Sequence, residues 1–224
     1  MDSLHTRITY QNPTIPQWIT QAWACLLFLS AAWPVTADAQ TQQWRTVSDK
    51  NGIRMEARRI AGERFDELRV TTSLKASPEM IADYMFGKYL DEKNKNISRT
   101  FVQRGPDVTV WSDVLSAPMI SERCYSMRFE RQALANGEIR VKFASLDYVG
   151  KKPKPDCIAL RSRGEWLMTP TGTGTRLTYT SLTDIGGKAP AVLARGSLSS
   201  AALSSMRKVV AGASGLTLPR GIGD

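Results

Sequence analysis

Apolar and polar positions alternate along much of the chain, and the dominant period is two. The clearest stretch starts at Arg123, where Tyr125, Met127 and Phe129 alternate with Cys124, Ser126, Arg128 and Glu130. One face is apolar and the other polar, the pattern of a half-buried antiparallel strand. Arg123 shares the parity of the apolar face. Asn136-Gly137 turns the chain, and Ile139, Val141 and Phe143 repeat the alternation. After the loop Lys151-Lys152-Pro153-Lys154-Pro155, one face carries Ile158, Leu160, Ser162, Gly164, Trp166 and Met168. Thr171 to Thr175 turns again, and Leu177, Tyr179 and Ser181 continue inward. This part predicts a meander of long strands.

Upstream, Asn51-Gly52 lies between two extended runs and predicts a hairpin. Leu68, Val70, Thr72 and Leu74 share one face of a third strand. Ser77-Pro78-Glu79 then predicts a helix start, with Ser as cap, Pro at the first helical position and an acid in the first turn. The helix is expected to run to Phe86 and end at Gly87. Lys88 to Ser98 reads as polar and irregular. Thr100 to Arg104 and Val108 to Leu115 read as strands around Gly105-Pro106-Asp107.

Gly186-Gly187 ends the meander. Pro190 to Ala211 reads as a helix of about 33 Å, with Val192, Leu193, Gly196, Leu203, Met206 and Val210 on one side. The order is strands, a short helix, a long antiparallel meander and a long terminal helix, which is α+β. A curved sheet wrapped around one long helix leaves space for an apolar cavity, where small ligands bind.

Charge and leader narrow the setting. Ala22 to Trp33 is a dozen mostly apolar residues, too short for a hydrocarbon core but suited to a signal-peptide core. Pro34 and the Ala37-Asp38-Ala39 cleavage pattern follow, so residues 1–39 are expected to be a leader cut before Gln40. The expected domain is then 40–215, with 216–224 a loose tail. The setting would be periplasmic or secreted. The whole chain holds 30 basic and 21 acidic side chains, a net +9. Losing Arg7, Asp2 and Asp38 leaves 29 against 19, a net +10. Such a surface favours anionic partners, for an exported protein a phospholipid or lipopolysaccharide surface. The single histidine is His5, inside the leader. A mature chain without histidine excludes His-dependent triads, Cys-His dyads and His-ligated zinc or iron. Carboxylate, Lys, Tyr or Arg chemistry remains open.

Cys124 and Cys157 are the cysteines left after the leader. Counting outward from the turns places each roughly opposite Tyr148, on either side of it. The two would then lie two strands apart, about 9–10 Å, beyond the reach of a disulfide. The register therefore predicts no bridge.

Several short motifs, in order, resemble the bacterial START domains of the helix-grip superfamily. Asn51-Gly52-Ile53 with Arg58 resembles their opening. Ala76-Ser77-Pro78-Glu79 resembles the start of their first helix. Ala117-Pro118-Met119-Ile120-Ser121-Glu122-Arg123 resembles their central signature. Gly164-Glu165-Trp166 with Pro170, then Thr175 to Tyr179, and Asp184 to Pro190 follow the pattern to the terminal helix. Cys124 departs from it, standing where the family carries an acid. The Lys88–Ser98 segment is read as departing too, where the family has an aromatic after the first helix. The resemblance implies a helix-grip fold and a hydrophobic ligand such as a sterol or phospholipid.

The candidate cavity residues are Arg123, Tyr125, Met127, Phe129, Val141, Phe143, Leu160, Trp166, Tyr179, Leu193, Leu203 and Met206. Arg123 is either a polar anchor for a lipid head or a structural ion pair with Asp113 or Glu122. The rest are wall or plain core. Lys151, Lys152 and Lys154 are candidates for membrane contact, or a solvated turn. Gly172 and Gly174 belong to a hairpin, since a strand and not a helix follows. Three classes stand: a lipid carrier, monomeric and without metal or cofactor; a cyclase-like enzyme using carboxylate or tyrosine; and a basic surface-binding module. Export and the dispersed basic residues argue against nucleic acid.

Overall fold

The structure, a computed structural model, describes residues 43–116, 121–149, 156–188 and 191–215. Strands β1 (Arg45–Lys50) and β2 (Ile53–Arg58) form the expected hairpin. Its Asn51 and Gly52 both adopt positive φ, 55° and 73°, as a tight two-residue turn between twisted strands requires. β3 (Glu67–Leu74) follows with the expected inward face. Helix α1 (Pro78–Tyr84) starts as predicted, the Ser77 hydroxyl accepting from the Met80 amide.

The end of α1 differs from the expectation. Gly87 leaves helical geometry (φ −100°, ψ −108°), yet the chain continues through a π-helical turn, Met85–Tyr89. Met85 and Phe86 stay buried there, and their burial stabilises the extra turn that the glycine interrupts. β4 (Ile97–Arg104) and β5 (Val108–Leu115) follow, then β6 (Arg123–Ala133), β7 (Ile139–Leu146), β8 (Ile158–Ala159), β9 (Arg161–Thr171) and β10 (Gly174–Asp184). Helix α2 (Ala191–Ala213) closes the order.

Among the described residues the strands form one sheet in the order β1-β2-β3-β10-β9-β7-β6-β5-β4, with β8 beside β6. Neighbours along that path are antiparallel. α2 packs against β3 and β10, and α1 against β7 and β9. The core between helices and sheet includes Val70, Ile81, Met85, Val141, Trp166, Met168, Leu177, Met206 and Val209, all fully buried. Each such side chain contributes about 1.5–3 kcal/mol.

The α2 face is rotated from the predicted one. Its buried positions are Ala194, Ala202, Met206, Val209, Ala211 and Ala213, while Val192 is 77% exposed and Gly196 is exposed. Steps of four from Ala194 through Leu198 and Ala202 to Met206 trace the true stripe. The small alanines, weak as a sequence signal, let the helix approach the sheet.

The prediction against a disulfide is overturned. Cys124 and Cys157 are bonded, with Cα atoms 6.0 Å apart. The β6–β7 register is the expected one, since Ser126 pairs with Leu146 and its continuation would set Cys124 opposite position 148. But β7 stops at Leu146. β8 takes its place along β6 in parallel, Arg123 with Ile158 and Cys124 with Ala159. The next strand, β9, moves one place out to pair with β7. The pairing of β8 with β6 sets Cys157, the residue just before β8, beside Cys124.

Candidate functional site: a two-lobed cavity between sheet and helix

A cavity of about 570 Å³ lies between the sheet and the middle of α2. Its back wall is aromatic. Trp111 meets Phe129 edge-on at 4.8 Å between ring centres, and Phe129 lies 5.8 Å from Phe143. Phe143 stacks with Tyr179 at 5.8 Å, and Tyr179 with Trp166 at 4.2 Å. The facing wall comes from α2: Ser200, Ala201, Ser204, Ser205 and Lys208.

At one end sits a polar cluster built by β4, β5 and β6. Asp113 is fully buried. Arg99 Nε and Nη2 donate to its two oxygens at 2.8 and 2.7 Å, and Trp111 Nε1 donates at 3.0 Å. The Tyr125 hydroxyl bonds the same carboxylate. Arg99 Nη1 donates to the Leu90 carbonyl at 2.9 Å. A buried carboxylate needs such partners, and here a bidentate guanidinium supplies both charge and geometry. Burial would lower the Arg99 guanidinium, but the bonds to Asp113 and its charge raise it. Burial first, then the Asp113 charge, pushes the Tyr125 hydroxyl far above the ordinary tyrosine range. Burial does the same to Tyr179 and raises Tyr89, whose hydroxyl bonds Ser205 on α2. These tyrosines are neutral hydrogen-bonding groups at physiological pH, not bases.

A second lobe of about 340 Å³ shares Tyr179, Ala201 and Ser205 with the first. Leu68, Leu115, Leu160, Ile185, Ala194 and Leu198 make it mainly apolar, and Arg123 also lines it. Arg123 is 4% exposed. Its Nε donates to the Ile185 carbonyl at 2.6 Å and its Nη1 to the Ser121 carbonyl. The structural partner expected for it, Asp113, is instead taken by Arg99. Glu122 accepts from the Ser116 hydroxyl.

The sequence candidates divide accordingly. Tyr125, Met127, Phe129, Phe143, Trp166 and Tyr179 line the larger lobe; Arg123, Leu160 and Tyr179 line the smaller. Val141 and Met206 are fully buried in the core cluster, and Leu203 packs against it. The Leu193 side chain and Lys151, Lys152 and Lys154 lie outside the described residues. Sequence reasoning missed Tyr89, Arg99, Trp111 and the serines of α2. The segment read as lacking an aromatic after the first helix contains Tyr89, and the π-helical turn carries that ring to the cavity. The Arg99–Asp113 pair escapes simple counting: the strands leave the turn with Arg104 opposite Thr109, and a bulge between Phe101 and Gln103 shifts the register so that Arg99 meets Asp113.

A hollow of about 780 Å³ on the outer face of the sheet is of another kind. Its four arginines are met by carboxylates in or beside it: Arg58 by Glu67, Arg69 by Glu56, Arg128 by Glu130 and Arg163 by Glu63. Trp44 is covered by Arg58 and Arg69. The face is a charge ladder rather than a receptacle for an apolar molecule. Among the described residues no group of acidic, Cys or His side chains could hold a metal.

No protein-family model and no curated protein sequence matches the chain. Solved structures do. A STAR-related lipid transfer protein from Xanthomonas axonopodis (fragment 25–204) superposes with a TM-score of 0.63 at 20% identity, over 76% of this chain and 98% of that one. Human STARD10 gives 0.63 at 15% identity, over 76% and 72%. Human StAR-related lipid transfer protein 5 gives 0.60 at 19% identity, over 77% and 85%. The architecture, with its antiparallel sheet packed on a C-terminal helix and a cavity between them, is the START-like helix-grip fold of the StAR-related lipid transfer domains.

Proposed function

We propose that the protein is an exported carrier that holds a hydrophobic ligand, such as a sterol or phospholipid, between the sheet and α2 and performs no catalysis. The observation that carries this reading is the cavity itself: an aromatic wall facing a helix of small residues, with polar groups at its ends. The larger lobe alone has the size of a small-molecule site. The polar groups bordering it suit recognition more than turnover. Arg99 and Asp113 neutralise each other, and the raised tyrosines hold their protons. The named lipid transfer proteins that share the fold support the same reading. The disulfide supports an oxidising compartment, in line with a leader over residues 1–39 and a periplasmic or secreted protein. The net +9 charge suits transient contact of a monomer with an anionic membrane.

Native mass spectrometry of the chain purified from its own host, followed by solvent extraction, tests this. The expected result is a discrete added mass that extracts as a lipid. An unliganded mass that does not shift with added sterol or phospholipid overturns the carrier reading.

A further inference from the structure

The two lobes differ in how their charges are met. In the larger lobe each cation has a carboxylate partner: Arg99 has Asp113 and Lys208 has Glu92 at 3.1 Å. In the smaller lobe the acceptors that hold Arg123 are carbonyl oxygens of Ser121 and Ile185. Those are neutral, so neither supplies a counter-charge to a side chain in a place that is 4% exposed. The carboxylate that shares this lobe, Asp66, is engaged by Arg45 and by Arg59 at 3.7 Å. α2 also begins beside the lobe: Ala194, in its first turn, lines it, and that turn carries no acidic residue. A helix start bears partial positive charge from its free amides. A buried cation and the positive end of a 23-residue helix therefore border the same, mainly apolar lobe.

We infer that the smaller lobe binds an anionic head, a carboxylate or a phosphate monoester, on a single-chain amphiphile whose apolar part lies along the aromatic wall of the adjoining larger lobe. This rests on the carrier reading and names its ligand class. The anion would supply the counter-charge that burial of Arg123 calls for. The tail would pass Tyr179, Ala201 and Ser205, the residues common to both lobes.

The test uses four twelve-carbon probes on the full chain, with affinity measured by calorimetry: laurate, dodecyl phosphate, dodecanol and dodecyltrimethylammonium. Laurate or dodecyl phosphate is expected to bind about 10- to 100-fold more tightly than dodecanol, as for hydrogen bonds to a charged group. The cationic probe is expected to bind weakest. Which anion binds more tightly separates a fatty-acid-like ligand from a phosphate-bearing one. Arg123→Gln should erase the preference, bringing laurate and dodecyl phosphate down to the affinity of dodecanol. Arg123→Lys and Lys208→Gln should keep it. Equal affinity for laurate, dodecyl phosphate and dodecanol in the wild-type chain overturns the inference while leaving the carrier reading intact, and that comparison stands even if Arg123→Gln does not fold. Loss of the preference in Lys208→Gln overturns it too, by moving anion recognition to the larger lobe. Binding of no probe, together with the unliganded mass described above, removes both readings.

Discussion

Replacing Asp113 by Ala would remove the acceptor of a buried arginine. The fully buried carboxylate takes two bonds from Arg99 and one each from Trp111 and Tyr125. Breaking a buried pair from one side costs about 3–5 kcal/mol. The lower end applies here, because Arg99 keeps its bond to the Leu90 carbonyl and its side chain is 23% exposed. A loss near 3 kcal/mol is a large part of the usual total of about 5–15 kcal/mol. For a domain of this size it lowers Tm by about 6–12 °C. Arg99→Met should also destabilise, since it leaves the buried Asp113 without its cation. Changing both removes both charges, so the double variant should lose about 2 kcal/mol less than the sum of the singles, within the range for residues in direct contact. It should not recover fully, because Trp111 Nε1 and the Tyr125 hydroxyl lose their acceptor. Urea unfolding followed by tryptophan fluorescence measures all four corners of the cycle. Additivity within about 0.5 kcal/mol would refute the account of Arg99 and Asp113 as one coupled unit.

Reducing the Cys124–Cys157 bridge, which spans a separation of 33 residues, should cost about 3.7 kcal/mol by loop-closure entropy; an unchanged urea midpoint with dithiol reductant present would contradict this. Tyr89, Tyr125 and Tyr179 all have folded-state pKa values above the ordinary 10.0. The native state therefore keeps protons that the unfolded chain releases, and stability present below about pH 10 should fall as pH rises, by up to about 1.4 kcal/mol per pH unit for each tyrosine. Tyrosinate absorbance with urea midpoints at about pH 9 and 11 checks it, and ordinary titration of every tyrosine in the folded protein would count against the burial argument. Gly164→Ala should destabilise by about 3 kcal/mol, because its Cβ would overlap the Thr180 carbonyl oxygen and sit 2.7 Å from Phe143 Cζ. Gly196→Ala, with open space around its Cβ, should instead stabilise by about 0.5–1 kcal/mol; thermal melts of the two, side by side, should move in opposite directions.

The strand meander was legible because each long strand buries one face, which forces a period of two on the sequence. That parity sets Phe129, Phe143, Trp166 and Tyr179 on one face of the sheet, and it leaves out Trp111. What parity could not carry was any departure from regular pairing. The step from β8 to β9 changes a neighbour without changing the alternation, so the disulfide was invisible to it. α2 misled for another reason: its buried stripe rests on alanines, and the eye follows the larger Val192. Tyr89 was hidden among charged residues, because the turn that directs it inward is set by tertiary packing. Asp113 was visible only as a polar residue in a strand, and Arg99 fell just before the predicted start of one at Thr100; their meaning arises from the register that joins them.

The adjacency of β3 and β10 has a kinetic consequence. Leu74 pairs with Thr175, about a hundred residues later in the chain. The first three strands therefore have no neighbour in the central sheet until almost all the rest has been synthesised, and such distant pairing slows folding. α2 comes after even that. At about 5–20 residues per second on the ribosome, its 23 residues take roughly one to five seconds to emerge. Until they do, the trough floored by Phe129, Phe143, Trp166 and Tyr179 lies uncovered. Newborn molecules thus pass through an open-faced stage in which aggregation competes with closure, and the final helix acts as the step that makes them safe.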